Sequence, residues 1–329
     1  MSRIPITLVT GFLGSGKTTL IAQLLTQPGL AGTLVVVNEF GEVGIDHDLL
    51  EASSDDTILL ANGCLCCTIR GNLVDTLLDV QAQVADGRLR AFDRVVVETS
   101  GVADPAPLLG FLLSDAAVMA RYRLEQVIAT IDAVAGAEAL EHHPEADHQA
   151  RVADRLLLTK TDLVTPAAAA ALAARLRGLN PVAPIMPVLQ GQIAAEELLG
   201  PGSAQDATAP CGPGCGDPSH AHEHHHHAER FSATVLHATQ TLEEADIARI
   251  EAALRAWAGP HLLRLKGILP LRDGRVAILQ AAMMVVHPAE FQPGPAHAAG
   301  RLVLIVEGLA PAPLLQTLGG FGLERDGVG

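Results

Sequence analysis

Along the first half of the chain, short apolar runs rich in β-branched residues alternate with segments of helical period. IPITLVT (4–10), TLVVV (33–37), the VVVE run within FDRVVVETSG (92–101) and the LLLT run within ADRLLLTKTD (153–162) each read as a strand, with TILLA (57–61) a shorter one. Runs this continuous predict strands buried on both faces, as in a parallel sheet. Between them, TLIAQLLTQ (19–27) and NLVDTLLDV (72–80) carry apolar residues at helical spacing. After residue 190 the periodicity vanishes into Gly, Pro, Ser and Ala, a linker composition. From Arg230 it returns as strand (231–239), helix (243–258), three strands (261–269, 275–282, 301–308) and a short helix. The pattern predicts an α/β domain with a mostly parallel sheet over 1–195, a flexible linker over 196–229 and a smaller α+β domain over 230–329, its helices on one face of a single sheet. Trp257 is expected in that second core, and His237, His261 and His287, in or beside strands, are expected to be structural.

The first strand runs into GFLGSGKT (Gly11–Thr18) and then a helix. Strand, GxxxxGK[ST], helix is the phosphate-binding loop in its required setting. Gly11, Gly14 and Gly16 let the backbone turn its N–H groups inward, with Ser15 and Thr19 completing the cradle. Lys17 is expected to reach the β- and γ-phosphates, Thr18 to offer a hydroxyl to Mg2+, and the helix N-terminus to add partial positive charge. Glu98 ends an apolar run, where a carboxylate would stand near Mg2+ or its water, and the Gly101 N–H could bond the γ-phosphate. Lys17, Glu98 and Gly101 are the expected catalytic set. Thr159-Lys160-Thr161-Asp162 ends the next strand. A carboxylate there can accept hydrogen bonds from N1–H and the N2 amino group of guanine, with the stem of Lys160 over the base plane, so the nucleotide is expected to be GTP.

Composition sharpens this reading. Only three lysines, Lys17, Lys160 and Lys266, stand among 22 basic residues, and two of them fall inside these motifs. No role follows for Lys266. The formal charge of −15, without a basic block, argues against nucleic acid or an anionic membrane as partner. The apolar runs are too short to span a bilayer, and the N-terminus lacks a small-residue cleavage site. Five cysteines, odd in number and clustered, make no disulfide framework, so a reducing cytoplasm is expected.

Three of the five, Cys64, Cys66 and Cys67, crowd into ANGCLCCTIR (61–70). Thiolates so spaced suggest a soft metal, with Glu39 or Glu42 able to supply oxygen and Zn2+ the expected ion, Co2+ or Ni2+ also suiting such ligands. Buried structural thiols, a redox pair and an iron–sulfur ligand set are the competing readings; C-x-C and C-C geometries strain a disulfide, and an iron–sulfur set usually needs a fourth cysteine at a matching spacing. Within the linker, Cys211 and Cys215 precede His220, His222, His224, His225, His226 and His227, a composition that collects transition metals with little discrimination. An expression tag would be terminal and would carry no cysteines.

GFLGSGKTT, NEFGEVG, NGCLCC, ETSG-ADP and TKTD, in this order, resemble the CobW-type metallochaperone GTPases, relatives of the nickel-delivering urease and hydrogenase accessory GTPases. The similarity covers about residues 4–190 closely and RLKG (264–267) more loosely, and it is to the shorter members rather than the longer cobalamin-pathway ones. The resemblance implies GTP hydrolysis coupled to holding a transition metal, usually zinc, and passing it to a client metalloenzyme. It maps the family's metal ligands onto the cysteine turn, Cys66 and Cys67 above all. Two alternatives stay open: a metal store built on the histidine run, and a GTP-dependent assembly factor of a cofactor (cobalamin) pathway. No arginine finger or water-positioning glutamine is identifiable, so turnover is expected to be slow until a partner or a homodimer completes the site.

Overall fold

Neighbouring residues of the apolar runs go to opposite faces of one sheet, and both faces are covered. The structure is a computed structural model that describes residues 3–27, 30, 32–38, 58–61, 72–199, 231–258, 261–282, 285–294, 300–308 and 312–325. The chain divides into two compact units, Met1–Pro201 and Gly202–Gly329.

Among the described residues of the first unit, β1 (Ile4–Gly11), β2 (Thr33–Asn38), β3 (Ile58–Ala61), β4 (Arg94–Thr99), β5 (Tyr122–Asp132), β6 (Arg155–Thr159) and β7 (Ile185–Val188) form a seven-stranded sheet in the order β3-β2-β4-β1-β5-β6-β7. Every pairing in it is parallel. The helices are α1 (Lys17–Leu25), α2 (Asn72–Ala85), α3 (Pro105–Ser114), α4 (Ala116–Arg121), α5 (Gly136–His142), α6 (Pro144–Val152), α7 (Pro166–Leu179) and α8 (Ala195–Leu199).

On one face Val9, Ile128 and Leu157 pack with Leu20, Ile21 and Leu24 of α1 and Leu198 of α8. On the other, Ala129, Ile131, Leu156 and Leu158 pack with α5, α6 and α7. Two covered faces explain why these strands read as continuous apolar runs instead of alternating ones. The linker expected from residue 196 therefore starts with ordered helix: Leu198 and Leu199 are buried at 0% and 2% exposure. Strand order reverses at β1, with β4 on one side and β5 on the other. In such sheets the crevice for ligands lies beyond the carboxyl ends of the strands at that reversal.

The second unit is an antiparallel sheet of β8 (Phe231–Ala238), β9 (Leu262–Pro270), β10 (Arg275–Ala282), β11 (Val285–Val286), β12 (Glu290–Pro293), β13 (Arg301–Glu307) and β14 (Leu323–Arg325). Helices α9 (Glu244–Trp257) and α10 (Ala312–Gly319) pack on it through Ile247, Ile250, Leu254, Leu314 and Leu318. Trp257 is only partly buried and lies against the edge of this core, not within it. Among the described residues no helix is long and apolar enough to cross a membrane.

Candidate nucleotide site

The turn after β1 is dictated by glycine. Gly11 has φ +144°, and a Cβ there would lie 2.5 Å from the carbonyl oxygen of Thr130 and 2.7 Å from Ser15 Oγ, so β1 can leave the sheet this close to β5 only without a side chain. The loop is then stitched to its neighbours. Ser15 Oγ bonds Thr130 Oγ1 at 2.7 Å, and Thr159 Oγ1 donates to the Ser15 carbonyl at 2.8 Å. Lys160 Nζ donates to the Gly14 carbonyl at 2.8 Å and pairs with Asp132 Oδ2 at 2.6 Å. The end of β6 thus grips two consecutive carbonyls of the loop that follows β1.

Lys17, at the first position of α1, is 6% exposed, and its ammonium donates to the Gly11 carbonyl at 3.0 Å, with Phe12 O 3.4 Å away. These contacts hold the charge over its own loop, where an arriving phosphate can take the place of the carbonyls. Next to it, Thr18 Oγ1 donates to Glu98 Oε1 at 2.7 Å. Glu98 is fully buried and stands in register with Val9 and Val37, so the strand run delivers its carboxylate to the mouth of the loop. A hydroxyl and a carboxylate meeting there are hard oxygen donors of the kind Mg2+ takes through one or two protein ligands and water.

The residues after β4 turn back on the loop. Ala103 N–H bonds the Ser100 carbonyl at 3.0 Å, closing a tight turn around Gly101. A Cβ on Gly101 would lie 2.8 Å from the Leu13 backbone nitrogen, so glycine lets the turn touch the loop directly. On the far side of the crevice, Lys160 takes a left-handed conformation (φ 56°) that starts the short 3-10 turn Thr161–Leu163. Asp162 is exposed in that turn, its carboxylate open to donors from a ligand.

Gly11, Gly14, Ser15, Gly16, Lys17, Thr18, Thr19, Glu98, Gly101, Thr159, Lys160 and Asp162 therefore all lie at the carboxyl edge of the first sheet or on the loop and helix leaving it. Thr130, Asp132 and Gln149, which also build this region, were not anticipated. Asp132 had a legible signal, an acid ending an apolar run as Glu98 does, whereas Gln149 had none. Cys64, Cys66, Cys67, Glu39, Glu42, Cys211, Cys215 and the histidines from His220 to His227 lie outside the described residues. Among the described residues no group of three or more His, Cys, Asp or Glu is placed to hold a metal ion.

A parallel sheet with this loop at its reversal point, its lysine poised and a hydroxyl–carboxylate pair beside it, defines a P-loop nucleotide-binding protein. Residues 5–187 match the family model described as CobW/HypB/UreG, nucleotide-binding domain, and 231–321 match the Cobalamin synthesis protein cobW C-terminal domain. The chain belongs to the CobW/HypB/UreG family, the one its motifs resemble. Among similar proteins, the zinc chaperone YjiA of Escherichia coli is 40% identical over 193 residues, 59% of this chain and 60% of that protein. The zinc chaperone CobW of a Sinorhizobium species is 31% identical over 230 residues, 61% of this chain and 63% of that protein. The matches span about three-fifths of the length of these curated relatives. The crystal structure of Zn(II)-bound YjiA GTPase from E. coli aligns with a TM-score of 0.68 at 28% identity, covering 98% of this chain and 99% of that one.

Proposed function

We propose that this chain is a GTP-hydrolysing metallochaperone that binds Zn2+ at the Cys64–Cys67 turn and passes it to a client metalloenzyme in the reducing cytoplasm. The observation that carries the hydrolytic half is the 2.7 Å contact of Thr18 Oγ1 with Glu98 Oε1 beside the buried Lys17. That pair fits Mg2+, which, when bound, would neutralise charge on the β- and γ-phosphates. Lys17 exchanges its carbonyl contacts for phosphate oxygens and stabilises the charge that spreads over the γ-phosphoryl group as water attacks. The Gly101 N–H of the post-β4 turn would bond the same group, and Asp162 would read the guanine edge while the Lys160 stem covers the base. Because β6 grips Gly14 and Ser15, a base seated on Asp162 also steadies the phosphate loop.

The zinc half is supported by similar proteins known as zinc chaperones and by the likeness to the Zn(II)-bound YjiA GTPase structure. Cargo zinc would be held by Cys64, Cys66 and Cys67 with Glu39 or Glu42, thiolates being the soft ligands it favours. The histidines at 220–227 would gather metal with lower discrimination. In a protein lacking residues 211–227, Cys66→Ser is expected to weaken Zn2+ binding at least tenfold, about 1.4 kcal/mol, in competition with a chelating dye. Unchanged affinity and stoichiometry in that variant would leave the cysteines a structural part and favour the cofactor-assembly reading.

A further inference from the structure

Helix α6 reaches the candidate site from outside through the three side chains at its start and middle. Gln149, 0% exposed, donates both amide hydrogens to the post-β4 turn, to the Gly101 carbonyl at 3.2 Å and the Ala103 carbonyl at 3.0 Å. His148 Nδ1 lies 2.9 Å from Asp104 Oδ2, whose other oxygen caps α3 by accepting from Ala106 N–H at 2.9 Å. His143, immediately before α6, stacks on Phe12 of the phosphate loop with ring centroids 4.4 Å apart and planes 26° apart. Gly101 is therefore pressed between Leu13 on one side and Gln149 on the other.

Two carbonyls converge on the Gln149 amide, so its nitrogen must face them. Its oxygen is buried and accepts no hydrogen bond among the described residues. A methionine of the same reach would leave no such oxygen, and what glutamine adds is two donors aimed at one turn. If the turn moves by an ångström toward a phosphate, both bonds pass beyond hydrogen-bonding distance unless α6 follows. Buried donors without acceptors are costly, so the turn and the helix move together or not at all.

We propose that Gln149 is a positioning residue that holds the Gly101 turn in the geometry that receives the γ-phosphate, and that α6 is thereby an element whose position reports whether that phosphate is present. This rests on the reading of the site as one for GTP. A ligand shifts such an equilibrium only by its differential affinity for the two arrangements. The effect must therefore appear for ligands that carry a γ-phosphate and be absent for GDP.

The test is Gln149→Met in the full chain, with affinities for GDP and a non-hydrolysable GTP analogue measured for variant and wild type. Analogue affinity is expected to fall about tenfold while GDP affinity stays within about twofold, a ratio that a merely structural role would not move. A variant with the wild-type ratio overturns the proposal and leaves the GTP reading standing. A wild type that binds neither nucleotide overturns both. Should the variant not fold, amide hydrogen exchange on the wild type decides: residues 144–152 are expected to change protection between GDP and analogue, and identical protection overturns the proposal.

Discussion

Lys17→Ala is expected to lower the proposed GTP hydrolysis by roughly 100- to 1000-fold, the usual loss when one preorganised group facing transition-state charge is removed. Lys17 is 6% exposed and its ammonium is already held over the loop by Gly11 O and Phe12 O, so little reorganisation precedes its contact with phosphate. A guanidinium is wider and planar and does not fit where a compact ammonium sits against two loop carbonyls, so Lys17→Arg fails nearly as badly. The fold should survive either change, because the apolar packing of α1 runs through Leu20, Ile21 and Leu24 and not through Lys17. Phosphate release and thermal unfolding measured on the same samples separate the two effects. Hydrolysis by folded Lys17→Ala within tenfold of wild type would remove Lys17 from the mechanism.

Asp162→Asn changes which base is accepted. The carboxylate can take hydrogen bonds from guanine N1–H and the N2 amino group together, and charge-assisted bonds are about twice as strong as neutral ones. An asparagine amide turns a donor toward the N2 amino donor, leaving one of them unmatched. GTP affinity is expected to fall roughly 100-fold, about 2.7 kcal/mol, the cost of leaving one desolvated donor unmatched. Xanthosine triphosphate carries a carbonyl where guanine has the amino group, so it should bind the variant better than GTP does. Asp162 is exposed in a short turn, and the change should move stability by less than about 0.5 kcal/mol. Nucleotide competition binding gives the order directly, and an unchanged preference for GTP would place base recognition elsewhere.

Much of the first unit was legible because its signals are local. The apolar runs predicted β1, β2, β3, β4 and β6, though not β5 or β7, and Gly11–Thr18, Glu98, Gly101 and Thr159–Asp162 all fall at the carboxyl edge of one sheet as their motif positions imply. Apart from β5, whose first half (YRLEQ) interrupts its apolar run with polar residues, what was missed is long-range or short. Gln149 meets Gly101 across 48 residues, and its role depends on how α6 packs, which no spacing encodes. The ion pair of Asp132 with Lys160 likewise joins two strand ends. Helix α8 was hidden by the surrounding Gly and Pro, although Leu198 and Leu199 are buried. Strands β11, β12 and β14 are two to four residues long, too short for alternation to show. They owe their existence to pairing with β10 and β8.

The family resemblance implies that GTP hydrolysis is coupled to holding zinc, and the most direct measurement of that proposed coupling is Zn2+ affinity with a non-hydrolysable GTP analogue against GDP, in a protein lacking residues 211–227 so that the histidine run does not mask the site. The analogue is expected to tighten zinc at least tenfold, a coupling of about 1.4 kcal/mol, and by linkage zinc should tighten the analogue by the same factor. Equal zinc affinities in the two nucleotide states would contradict a nucleotide-driven chaperone and leave a metal store or a cofactor-assembly factor as the reading to pursue.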